Sequence, residues 1–158
     1  MQVFHGDWDH HTDIGKRLPS ECRVTDQGSA ALVKDLARRG LLDDTLVVWG
    51  GELGRTPVAQ KPMAAGGRVG RDHQIEAFTM WFAGGGVRPG QVIGDTNDLG
   101  CLPAEDGWHV YDLQATILHA LGLDHERLTY RYEGREFRLT DIHGEVKSEL
   151  FATPASRG

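Results

Sequence analysis

Two apolar runs, each closing on glycines, limit the folds open to this chain more than any other feature. TLVVWGG (45–51) and AFTMWFAGGG (77–86) lack the polar alternation of a half-exposed strand, so they read as strands buried on both faces of a parallel sheet. Helical segments fall between and after them. Thr25-Asp26 predicts the cap of a helix carrying Ala30, Ala31, Val33, Leu36 and Ala37 and stopping at Gly40. VYDLQATILHALG predicts a second helix, capped by Asp112 and ending at Gly122. Alternating helix and strand predicts an α/β layered domain, whose ligands sit in loops beyond the carboxyl ends of the strands. YRYEGREFRLTD (130–141) predicts a hairpin turning at Glu133-Gly134. Residues 1–150 are expected to form the domain and 151–158 a frayed tail.

A doubly covered sheet usually has about five or six strands, and only three or four are recognisable here. Gln2-Val3-Phe4 reads as the end of a strand, with HGDWDHH as the loop after it. Both observations predict a preceding N-terminal half.

The 158 residues suffice for one domain with a core. A net charge of -6, from 17 basic and 23 acidic residues spread along the chain, argues against a general nucleic-acid or anionic-membrane surface. No run approaches the roughly 18 apolar residues of a membrane span, and the first residues show no export signal. Cys22 and Cys101 have no close-pair spacing, which predicts reduced thiols. The glycines at 83–90 follow neither a dinucleotide nor a Walker pattern, so a nucleotide fold is rejected.

Three polar loops fall at comparable places beside strands: HGDWDHHTD (5–13), GGELGRTP (50–57) and GGRVGRDHQ (66–74). Carboxylate oxygens and imidazole nitrogens from several loops are what a divalent metal requires. Asp9, His11, Glu52 and His73 supply four such groups. In an extended segment the Asp-x-His spacing puts Asp9 and His11 on one side and turns His10 away. Plainer readings stand beside this one. A lone histidine in a polar loop is ordinarily solvated or bonded to backbone, and Glu52 could cap a helix beginning near Leu53. Arg55 either pairs with Glu52 or holds a tetrahedral oxyanion. His109 either faces the same cleft or is a helix-entry residue bonded locally. His119 and His125 read as surface residues.

Taken together, WDHH, VVWGGELGRTP, GRDH, FAGGGVRPGQVIGDT, YDLQATILHALGLDHERLTYRY and GREFRLTDIHG resemble the C-terminal part of a bacterial sulfatase-like family, domain of unknown function 1501, in the alkaline phosphatase superfamily. The resemblance covers nearly all of residues 4 to 150. It implies a partial sulfatase-like layered sheet with flanking helices, metal ligands on loops beyond the strand ends, and hydrolysis of sulfate or phosphate esters, with a glycan among the conceivable substrates. Asp9 and His11 match the family's Trp-Asp-x-His pattern, Glu52 takes an acidic place in the second element, and His73 matches the last. The wider superfamily spacing would instead select Asp7 with His11. Leu53 stands where the superfamily carries a histidine, which puts a complete two-metal site in question.

The resemblance also implies that the nucleophile lies in an N-terminal part and that full-length relatives are exported. The expectation is therefore a metallohydrolase fragment, inactive alone, with Arg55 on the ester anion, Asp72 orienting a neighbour and His109 facing the cleft. Zinc, calcium, magnesium and manganese all remain open as the ion. One alternative is a non-catalytic scaffold binding an anionic glycan or a protein partner; another is a folding remnant that aggregates through an exposed edge.

Overall fold

The computed structural model describes residues 1–62, 66–104 and 107–151. It is a mixed α/β structure with two helices and three two-stranded antiparallel sheets among the described residues. Helix α1 spans Ile14–Arg38, and strands β1 (Val47–Trp49), β2 (Gly54–Arg55), β3 (His73–Gln74) and β4 (Trp81–Ala83) follow it. Helix α2 is Val110–Ala120, and β5 (Thr129–Tyr132) and β6 (Arg135–Arg138) precede a 3-10 turn at Ser148–Leu150.

Both expected apolar strands form, but they pair antiparallel with each other, Val47 opposite Ala83 and Trp49 opposite Trp81. The parallel, doubly buried sheet is thus not what these residues build. Among the described residues no third strand pairs with them, and Val48 and Trp49 stay 36% and 40% exposed, so the cover that the pattern predicts is only partial. Trp49 stacks on Trp81 instead, with ring centroids 6.2 Å apart. Gln2-Val3-Phe4 forms no strand, and Val3 and Phe4 are exposed.

The first helix starts eleven residues ahead of its expected cap, by difference between Thr25 and Ile14. Pro19 lies inside it and removes one helical hydrogen bond, which makes Ile14–Val24 look broken in sequence. Thr25 is interior: its hydroxyl donates to the Glu21 carbonyl at 3.1 Å, the back-bonding that a helical threonine uses. Helix α1 buries no residue, and its apolar Leu18, Val24 and Leu32 face outward.

The C-terminal third is built more tightly. The N-cap of α2 is His109 rather than Asp112: its Nδ1 accepts the Tyr111 N–H, while the Asp112 carboxylate at N3 accepts the His109 N–H at 3.0 Å. The two make a reciprocal capping box. Leu113, Ala115 and Leu150 are the buried apolar side chains, accompanied by Thr116, His125 and Thr140. His125 is therefore a core residue and not a surface one; its Nδ1 is 3.0 Å from the Thr140 hydroxyl. The expected hairpin is present, Thr129 opposite Arg138 and Tyr132 opposite Arg135. Its two-residue turn has φ of 48° at Glu133 and 80° at Gly134, the left-handed pair that matches the twist of the strands. Phe151 bridges Val87, so the last described residue is tied down; the tail expected to fray continues through 152–158, outside the described residues. No described helix is long and apolar enough to cross a membrane. Both cysteines are free.

Candidate metal centre

Strand β3 is only two residues long, yet it puts His73 directly opposite Arg55 of β2. The loop leading into it passes under the first polar loop, where the Arg71 N–H donates to the His10 carbonyl at 3.0 Å. Gly70 makes this crossing possible. A Cβ there would collide with the carbonyl carbon and oxygen of His11 and with the His10 carbonyl, and backbone cannot give way as a side-chain tip can.

The crossing brings Asp9, His11 and His73 together, with one ligand atom from each lying within 4.8 Å of the others. Asp9 Oδ1 is 3.0 Å from His11 Nε2 and 2.9 Å from His73 Nε2. The two imidazole centroids are 5.0 Å apart. Asp7, the other candidate partner of His11, is not in the group. His10 does turn away, and it is buried with both ring nitrogens lacking a hydrogen-bond partner among the described residues.

Glu52 stands one step outside. Its Oε1 is 3.3 Å from a terminal nitrogen of Arg55, and that same nitrogen is 3.9 Å from Asp9 Oδ1. The guanidinium is further held by the carbonyls of Gly54 at 3.0 Å and Trp8 at 3.5 Å. Glu52 caps no helix, because Gly54–Arg55 is strand. Asp72 does not touch the ring of His73: its Oδ1 accepts the His73 backbone N–H at 2.8 Å and lies 3.8 Å from His11 Nδ1. It fixes the peptide of His73. His109 is engaged in capping α2 and lines a cleft with Tyr111, Asp112, His143 and Glu145, whose walls include none of the three clustered residues.

The His73 hydrogen bond lowers the Asp9 pKa most; burial, the next largest influence, opposes it, and the fields of His11, His73 and Arg55 add to the lowering. The Gln60 hydrogen bond, then Asp9 and Asp72, raise that of His11. A bond from its own backbone N–H, aided by Arg55, lowers that of Glu52. Burial, and after it the Arg17 charge, lowers that of His10.

Sequence reasoning missed two contributors. Gln60 places Oε1 2.8 Å from His11 Nδ1, and nothing in Ala59-Gln60-Lys61 announces it. Gly70 left a fainter trace, a glycine three residues before His73.

The sequence profile of a family described as "Protein of unknown function (DUF1501)" matches residues 1–151. The chain belongs to this family. No curated protein and no solved structure matches it.

Proposed function

We propose that this DUF1501 chain is the C-terminal part of a sulfatase-like metallohydrolase of the alkaline phosphatase superfamily, acting on sulfate or phosphate esters in its full-length form. The observation that carries the reading is the convergence of Asp9, His11 and His73 beside the Arg55 guanidinium. In tetrahedral coordination with bonds of about 2.0–2.1 Å, ligand atoms lie roughly 3.3 Å apart. The 2.9 and 3.0 Å separations from Asp9 to the two imidazoles are close to that spacing. Two nitrogens and one oxygen suit zinc or manganese better than calcium or magnesium, which take oxygen ligands.

When bound, such an ion polarises an ester oxygen and stabilises the departing oxyanion. The chain's own residues do the rest. Asp9, His11 and His73 hold the ion, and Glu52, beyond Arg55, is the acid in reserve for a fourth position. Arg55 presents its planar fork to the anionic ester group, and Asp72 keeps the peptide of His73 in place. Leu53 offers no ligand, which favours one ion over two. A layered sheet of the superfamily type would be completed by a segment outside this sequence that also brings the nucleophile. The exposed Val3, Phe4, Val48 and Trp49 support that, since such a segment has apolar surface to cover.

Metal titration of the chain, with aryl sulfate and phosphate ester assays with and without an added N-terminal half, tests the reading. Metal uptake by the chain and hydrolysis only in the completed protein are expected. Turnover by the isolated chain would show that no segment is missing, and metal uptake that survives both Asp9→Ala and His73→Ala would remove the centre.

A further inference from the structure

An imidazole gives a metal one of its two nitrogens, and the hydrogen bond made by the other decides which one. In His11 the two sides of the ring differ. Nε2 faces Asp9 Oδ1 at 3.0 Å, on the side where His73 Nε2 also approaches. Nδ1 faces Gln60 Oε1 at 2.8 Å. An amide oxygen only accepts, so Nδ1 carries a hydrogen and keeps it; Nε2, beside Asp9, is the nitrogen that would release its proton and offer a lone pair when an ion binds. Asp72, the other acceptor on that side, is 3.8 Å from Nδ1 and is already used by the His73 peptide.

Gln60 is itself held in place. Its N–H donates to the Gly70 carbonyl at 2.8 Å, and its carbonyl accepts the Gly70 N–H at 3.4 Å. Gly70 in turn lies flat against the backbone of His10 and His11. The amide therefore approaches His11 from a β-bridge that is tied to the loop carrying His10 and His11.

We infer that Gln60 is a positioning residue that selects Nε2 of His11 as the metal-binding nitrogen, by holding the hydrogen on Nδ1 and fixing the plane of the ring. The inference rests on the reading of Asp9, His11 and His73 as a metal centre. Replacing such an outer partner ordinarily costs about 10–100-fold in metal affinity.

The test uses the full chain and its Gln60→Leu, Gln60→Glu and Asp9→Ala variants. It combines Zn²⁺ and Co²⁺ titrations, the visible spectrum of the cobalt form, and nitrogen-resolved NMR of the imidazoles in the zinc form. Wild type is expected to bind zinc through His11 Nε2 with a hydrogen on Nδ1. Gln60→Leu is expected to lose about 10–100-fold in affinity and to shift the cobalt bands, while Gln60→Glu, which keeps an acceptor, returns both to wild-type values. Thermal unfolding with chelator present separates a loss of fold, which glutamate would not specifically repair, from a loss of ring control. Zinc on His11 Nδ1, or a leucine variant with unchanged affinity and spectrum, would overturn the inference and leave the metal centre standing. Zinc affinity untouched by Asp9→Ala would remove the metal centre, and the inference with it.

Discussion

The two ends of this chain treat buried polar groups in opposite ways. Around α2 they are paired: His125 meets Thr140, and the Thr116 hydroxyl donates to the Asp112 carbonyl at 2.6 Å while accepting the Lys147 N–H at 3.0 Å. The unpaired buried side-chain atoms among the described residues all lie in the N-terminal part: His5 Nδ1, both nitrogens of His10, and Arg55 Nε. Apolar side chains divide less sharply, since Tyr132, Leu139 and Ile142 are exposed in the C-terminal part too. Leu113, Ala115 and Leu150 are covered near the C-terminus, whereas α1 buries none and Phe4 and Trp49 face outward. Buried polar groups without partners cost free energy, and among the described residues that cost falls on the N-terminal part. The candidate metal centre lies in the same part.

The sharpest way to break this contrast is Gly70→Ala. If the N-terminal part were merely loose, the methyl group would be absorbed. The locked crossing at Gly70 instead predicts a loss of about 3 kcal/mol in chemical denaturation, the upper end of overpacking, together with loss of metal uptake.

A paired substitution sharpens it next. His125→Leu leaves the Thr140 hydroxyl without its partner and should cost about 2 kcal/mol. His10→Leu removes a buried imidazole without a hydrogen-bond partner among the described residues and should stabilise the chain by about 1 kcal/mol. Opposite signs in thermal or urea unfolding support the contrast, and equal losses would erase it.

The smallest effect belongs to the cap of α2. Burial would raise the Asp112 carboxyl, but bonds from the Glu145 and His109 N–H groups, with Lys147 nearby, outweigh it and lower the pKa. The stability it contributes is therefore full above the ordinary aspartate pKa of about 3.9 and is lost as pH falls through the lower, folded value. Asp112→Asn should cost about 1 kcal/mol near neutrality and flatten the acid side of the stability curve. An acid limb unchanged by the substitution would place the titration elsewhere.

What the sequence revealed follows the range of the interactions. The hairpin was legible because Glu133-Gly134 dictates a local turn, and α2 because its apolar spacing and its Gly122 stop lie within the segment, although its cap is His109 and not Asp112. The start of α1 was hidden by Pro19, which reads as a breaker although the helix runs through it. TLVVWGG announced a buried strand but could not name its neighbour, and the neighbour proved antiparallel. In the site, Asp9 and His11 were legible through their two-residue spacing, and His73 through its loop. The pairing of Arg55 with Glu52 was one of two readings open from their three-residue spacing, and the two side chains do meet at 3.3 Å. Gln60 and Gly70 were illegible, since their roles arise only when residue 70 crosses residues 10 and 11.

The central claim is that Asp9, His11 and His73 close on one ion, and X-ray absorption at the zinc edge of the zinc-loaded chain tests it most directly. A first shell containing two imidazoles, reduced to one in His73→Ala, is the result expected. A shell of oxygen alone, or one that His73→Ala leaves unchanged, would contradict the account.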